Sequence, residues 1–270
     1  MYRIALFLLL TFPSGFPQAD EKPGLSAEFR AKYEGKIVRL KRFCKETTQN
    51  FDKNGQLTGS CERGPWTIYG ALGLDELRIE GGKLRILAHR EIASFEGDAL
   101  SYVQLEGKDV IVSLSIELER TPSDEVVGQA LTMLFVRNSE EFAEYVDPPW
   151  ARFFSKSENA KPTSTDISVV PHTPTRIRVS SGVSSGLLIR KIQPIYPEIA
   201  KRMRRSGTVV MRVLIDREGN VTDISLVRPR GFGWDEAAYE AVREWKYRPY
   251  MLNGEPVEVE TQVVIVFQLG

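Results

Sequence analysis

The residues Gly182-Val183-Ser184-Ser185-Gly186 match the G-x-S-x-G pattern, in which a serine on a strained strand-to-helix turn attacks an acyl carbon. That chemistry needs a buried strand before the serine and a histidine later in the chain to take its proton. The two histidines, His89 and His172, both precede it, and its surroundings are rich in Ser, Thr and Pro, so the match reads as fortuitous. His89 alternates with Ile86 and Ala88 near a strand end, with no acidic or serine partner evident in the sequence, and reads as structural. Glu117 and Glu119 resemble paired carboxylates, but a solvated sheet face accounts for them. A four-ligand zinc site would consume both histidines and both cysteines at unsuitable spacing. Nothing here assembles an enzyme, and no metal or cofactor is expected.

Cys44 and Cys61 flank the turn signal Asp52-Lys53-Asn54-Gly55, which folds the chain back and can bring the sulfurs together. Whether they pair depends on compartment. Arg3 precedes the apolar run Ile4–Phe12, then Pro13, Gly15 and Pro17-Gln18-Ala19, a pattern read as a signal peptide over residues 1–19. The run is short of the ~20 residues that span a bilayer as a helix. An uncleaved anchor or a buried N-terminal segment are the alternatives. In an exported protein the cysteines read as a disulfide, the alternative being two buried thiols.

The elements that must position these residues fall into two domains, as 270 residues allow at roughly 100 to 200 per domain. With 36 basic against 36 acidic residues, the chain lacks the overall field of a nucleic-acid binder, and no nucleic-acid partner is expected. After a flexible lead over 20–32, a front domain over 33–154 reads as mostly antiparallel β with one or two helices. Its expected strands are 36–43, 66–69, 77–80 and 84–88, with Gly81-Gly82 as a hairpin turn, and an alternating strand from Val110 to Leu118. Thr121 as N-cap, Pro122 at the first helical position and Asp124 in the first turn open a helix over Ser123 to about Val136. Residues 155–186 have linker composition.

From residue 187 onward the order is helix, strand, strand, helix, strand. Helix Glu198–Arg205 ends at Ser206-Gly207; strands Thr208–Ile215 and Val221–Val227 form a hairpin around Asp216–Asn220. Asp235–Tyr247 places Ala238, Ala241, Val242 and Trp245 on one helical stripe. Val257, Val259, Thr261, Val263, Ile265, Phe267 and Leu269 then alternate along one long last strand. The class is α+β, with a three-stranded antiparallel sheet and helices on one face of it.

Gln193-Pro194-Ile195-Tyr196-Pro197, Gly207-Thr208-Val209, Gly219-Asn220-Val221, Asp235-Glu236-Ala237-Ala238 and Trp245-Lys246-Tyr247-Arg248-Pro249, with the closing strand, resemble the C-terminal domain of the TonB energy-transducer family over residues 187–270. Tyr33–Lys36 and Gly64–Thr67 also resemble front domains found beside such modules in acidobacterial multi-domain proteins. The first resemblance implies a periplasmic domain that binds a short extended peptide, the TonB box, of an outer-membrane TonB-dependent transporter. It assigns peptide contacts to Gln193, Pro194, Tyr196 and Pro197 and to the last strand at Val257, Val259, Thr261, Val263, Ile265 and Phe267. For Tyr196, packing against the following helix is an equal alternative to binding. An edge strand offers unpaired N–H and C=O groups for such an addition. The family also implies an ExbB/ExbD-like inner-membrane motor as partner. The short apolar segment and the folded front domain depart from a full transducer, so the peptide-binding module is the expected function. A membrane-anchored transducer and a self-associating homodimeric scaffold are the alternatives.

Overall fold

The computed structural model describes residues 24–104, 107, 110–157 and 177–269. The expected signal peptide at 1–19 lies outside the described residues, as does 158–176 of the expected linker.

Part of the segment read as a flexible lead is a helix, α1 (Ala27–Tyr33), because Ser26 accepts the Phe29 N–H as its N-cap and is itself held by Asp124. Next come β1 (Ile37–Arg39), β2 (Thr48–Phe51), α2 (Trp66–Tyr69), β3 (Ala71–Glu80), β4 (Lys83–Glu96), β5 (Ala99–Gln104) and β6 (Ile111–Glu117). Helices α3 (Asp124–Leu134), α4 (Ser139–Ala143) and α5 (Pro148–Ser157) complete the front domain. Beyond α1, the described residues of the front domain therefore carry four helices, α2 to α5, where one or two were expected. Trp66–Tyr69 is helical rather than extended: Pro65 starts the turn, and the Trp66 ring meets Phe95, Phe142, Trp150 and Phe154 at centroid distances of 4.9–6.2 Å. The sheet runs β1-β3-β4-β6-β2 with β5 on the far half of β4, and β2 pairs in parallel with β6.

Cys44 and Cys61 are disulfide-bonded with Cα atoms 5.0 Å apart, as the turn between them allowed. The buried Arg90 guanidinium donates to the carbonyls of Cys44, Lys45 and Glu46 at 2.9–3.1 Å, tying this loop to β4. His89 does have acidic partners: Nδ1 lies 2.8 Å from Asp75 and Nε2 3.1 Å from Glu91. Glu91 is two residues along the same strand, whereas the pairing of β3 with β4 brings Asp75 to the ring.

The C-terminal domain contains β7 (Ile177–Arg178), α6 (Ser181–Gly186), β8 (Leu188–Arg190), α7 (Glu198–Arg202), β9 (Gly207–Ile215), β10 (Val221–Arg228), α8 (Trp234–Val242), β11 (Lys246–Tyr247), β12 (Tyr250–Leu252), β13 (Glu255–Val257) and β14 (Val259–Phe267). The main sheet is β10-β9-β14-β7, four strands rather than three, because residues read as linker pair in parallel with the last strand. The expected long strand is divided. Asn253 and Gly254, at φ of 51° and 86°, turn β12 into β13, so Val257 belongs to that hairpin and β14 starts at Val259.

The two domains share packing. Ile68, Ile92 and Val110 of the front domain enter the same buried cluster as Val209, Phe232 and Trp234. Phe232 N–H donates to Ala93 C=O at 3.0 Å and Phe95 N–H to Arg230 C=O at 3.2 Å, so the loop before α8 adds to the outer half of β4. Gly231, at φ +81°, is needed there because a Cβ would stand 1.9 Å from the Ala93 oxygen. Arg152 of α5 forms a two-pronged ion pair with Asp223 of β10.

Candidate functional site: the edge of the last strand

Period-two alternation sends Val259, Thr261, Val263, Ile265 and Phe267 into the core, all under a tenth exposed, while Gln262, Val264 and Val266 face solvent. The same alternation sorts the main chain. Val179 N–H donates to Glu260 C=O at 3.0 Å, so the even-numbered residues direct their N–H and C=O groups away from β9. Along Gln262, Val264 and Val266 those groups meet no backbone partner among the described residues. The inward residues named from sequence thus supply the strand's packing, whereas the outward ones between them supply its free edge.

The opposite edge of the sheet, β10, lies against α5, where Arg152 holds Asp223. At β14 the first residues are covered by β7, with registers Val259↔Ile177 and Glu260↔Arg178. Glu260 lies 3.1 Å from Arg178 and 3.5 Å from Arg212, an ion cluster on the solvent face at the point where β7 leaves the edge. Buried Thr261 sends its hydroxyl toward this crossing, 3.1 Å from Val179 C=O and 3.0 Å from Ser184 Oγ. Ser184, the centre of the G-x-S-x-G match, sits within helix α6 and hydrogen-bonds Ser181 and Thr261; the strand-turn-helix elbow that a nucleophile needs is not formed there.

At the far end of β14, the Tyr196 ring meets Phe267 edge-on at 5.5 Å and its hydroxyl donates to Arg205 C=O. Pro197 is the N-cap position of α7, and Trp245 Nε1 donates to Ile192 C=O at 2.8 Å, fixing the loop that follows. Tyr196 and Pro197 are therefore packed into the domain, Pro194 is half-buried, and Gln193 is exposed, as is Ile195 at 84%. The structure brings this loop to Phe267 and leaves Val257 outside β14.

A second polar cluster lies at the domain junction. Asp235 and Glu236 occupy the first turn of α8 and are 1% and 7% exposed. Burial pushes the Glu236 carboxyl up to about 8, with repulsion from Asp235 adding to the rise. Burial also raises Asp235, to about 7, against the opposing backbone donors of Gly231 and Arg230. Thr67 of the front domain donates its N–H (3.2 Å) and hydroxyl (2.9 Å) to Glu236 and accepts the Gly233 N–H (2.9 Å). Sequence reading found Asp235-Glu236 only as part of a motif; two adjacent acids in a helix first turn give no sign of burial against another domain.

Residues 192–269 match the family described as Gram-negative bacterial TonB protein C-terminal. Protein TonB of Vibrio cholerae is 34% identical over 84 residues, 31% of this chain and 34% of the relative; Protein TonB of Xanthomonas campestris pv. campestris strain B100 is 35% identical over 78 residues, 28% and 35% respectively. The chain thus spans about a third of the length of the relatives it matches. Among solved structures, the Pseudomonas aeruginosa TonB C-terminal domain is similar at 21% identity and a TM-score of 0.27, covering 30% of this chain and 84% of that one. The TonB2 protein of Vibrio anguillarum is similar at 23% identity and a TM-score of 0.25, covering 40% and 97%. Over residues 192–269, the chain is thus similar to the C-terminal domain of TonB proteins.

Proposed function

We propose that this protein is a TonB-like component of the Gram-negative envelope whose C-terminal domain captures an extended peptide of an outer-membrane active transporter, as part of energy-dependent transport. The observation that carries this reading is the row of outward N–H and C=O groups at Gln262, Val264 and Val266, on a strand whose other side is fully paired with β9. An incoming strand satisfies those groups without disturbing the core, because the inward side chains already have their packing. The side chains flanking the edge, Val264 and Val266, are 50% and 55% exposed and offer an apolar surface to the neighbours of the added strand. Membrane attachment is not required of the described part, in which no helix is long and apolar enough to cross a bilayer. The proposed mature protein is periplasmic and lacks residues 1–19.

The test is capture of a synthetic TonB-box peptide by the full chain and by Val264→Pro. Proline deletes an outward N–H and leaves the β9 ladder intact. Loss of capture with a retained folding transition supports the edge; undiminished capture by the folded variant removes it as the binding site. The same edge can pair with a second copy, so sedimentation at increasing concentration, with and without peptide, separates homodimer formation from transporter binding.

A further inference from the structure

We infer that Thr261 and Ser184 form a built-in terminator, which stops the chain's own strand β7 from pairing past Glu260 and keeps the edge from Gln262 onward available to an incoming strand. The identity of that incoming strand rests on the strand-addition reading above; the terminator is a property of the free protein.

In a parallel ladder, a residue on one strand donates and accepts on either side of its partner, so the next bond after Val179 N–H to Glu260 C=O is Gln262 N–H to Val179 C=O. That bond is replaced. Val179 C=O instead accepts the Thr261 hydroxyl at 3.1 Å, and the chain turns at Ser180 into α6, which packs against β14 through Ser184. Ser184 Oγ, whose own proton goes to Ser181 C=O, lies 3.0 Å from Thr261 Oγ1 and accepts a share of the one Thr261 proton; both residues are 3% exposed.

A threonine at this place needs a reason. Its fellow inward residues on β14 are Val259, Val263, Ile265 and Phe267, all apolar. A buried hydroxyl without a partner is costly, whereas here its partner is the one carbonyl that would extend the self-pairing, drawn toward the inward face and away from the Gln262 N–H. Ile177 and Val179 pack on the core and Arg178 pairs with Glu260, so β7 is a fixed neighbour rather than a displaceable one. An incoming strand is therefore seated in line with β7, beside Gln262, Val264 and Val266, and its register is set by where the terminator ends β7.

Amide hydrogen exchange on the full chain tests this, comparing the parent with Thr261→Val and Thr261→Ser. In the parent, Gln262 is expected to exchange as fast as Val264 and Val266. In Thr261→Val the released Val179 C=O takes the Gln262 N–H, slowing its exchange about ten-fold, the equivalent of one net hydrogen bond. Thr261→Ser restores the parent rate. Synthetic TonB-box peptide is expected to bind about ten-fold more weakly to Thr261→Val, whose first edge donor is already used. A protected Gln262 amide in the parent, or an unchanged rate in the folded Thr261→Val protein, overturns the terminator. If the peptide protects none of the three amides in the parent, the strand-addition reading fails, while the comparison of free proteins still decides the terminator.

Discussion

Replacing Glu236 with glutamine should remove most of a pH dependence that the domain junction imposes on the whole protein. Glutamine has the shape and one-acceptor, one-donor pattern of the protonated acid: its Oε1 accepts the Thr67 N–H and its Nε2 donates to Thr67 Oγ1, reversing the hydroxyl bond. A folded value of about 8 against an ordinary carboxyl value of 4.5 means that, between those pH values, the folded protein holds a proton the unfolded chain has lost. Stability is then fully present below about pH 4.5, falls as pH rises, and levels off above about pH 8. At ~1.4 kcal/mol per unit the full swing is at most about 5 kcal/mol, or on the order of 10 °C in melting temperature for a protein of this size. Thermal unfolding followed by circular dichroism from pH 5 to pH 9 reads it. The two proteins should melt together at pH 5, and the glutamine variant should melt higher at pH 9. Asp235 titrates in both, so the difference between the curves is the decisive quantity. Parallel curves across the range would mean that Glu236 is ionised at the junction and that the two Thr67 donors outweigh its burial.

Cys44→Ser with Cys61→Ser opens a disulfide of sequence separation 17, which should cost about 3 kcal/mol by loss of the cross-link's restriction on the unfolded chain, read as a lower denaturant midpoint. Reducing agent should shift the parent to that same midpoint and leave the double variant unmoved. Gly231→Ala places a methyl against Ala93 C=O at a positive φ, and should undock the domains at a cost of about 3 kcal/mol or more. Calorimetry should then resolve two transitions in place of one; a single unshifted transition would show that this loop does not couple them.

Where one periodicity ran long enough, the sequence was explicit about local structure. The alternation from Val259 to Phe267 fixes which side chains enter the core and Gly81-Gly82 fixes a hairpin; helix α3 forms as expected but is capped by Ser123 rather than Thr121. The spacing of Cys44 and Cys61 around a turn made their pairing readable once export was assumed. Asn253-Gly254 is an equally legible hairpin turn, and the hairpin it forms takes Val257 out of the expected last strand. Trp66–Tyr69 illustrates the opposite limit. Four apolar and β-compatible residues suit a strand by type, and only the aromatic cluster around Trp66 makes them a helical turn.

The chain's own residues determined that β14 exists, which of its faces is buried, and that residues 192–269 match the TonB C-terminal family. Only the tertiary structure decided which stretch of its edge is free. Side-chain alternation names the inward residues, but the edge is made of main-chain groups, and their occupancy depends on neighbours remote in sequence. Residues 177–179 have the composition of linker and become a strand because Glu260 and Thr261 give them partners. Likewise, Thr67 and Glu236 stand 169 residues apart, and the burial that makes the acid hold its proton comes from a second domain closing over it.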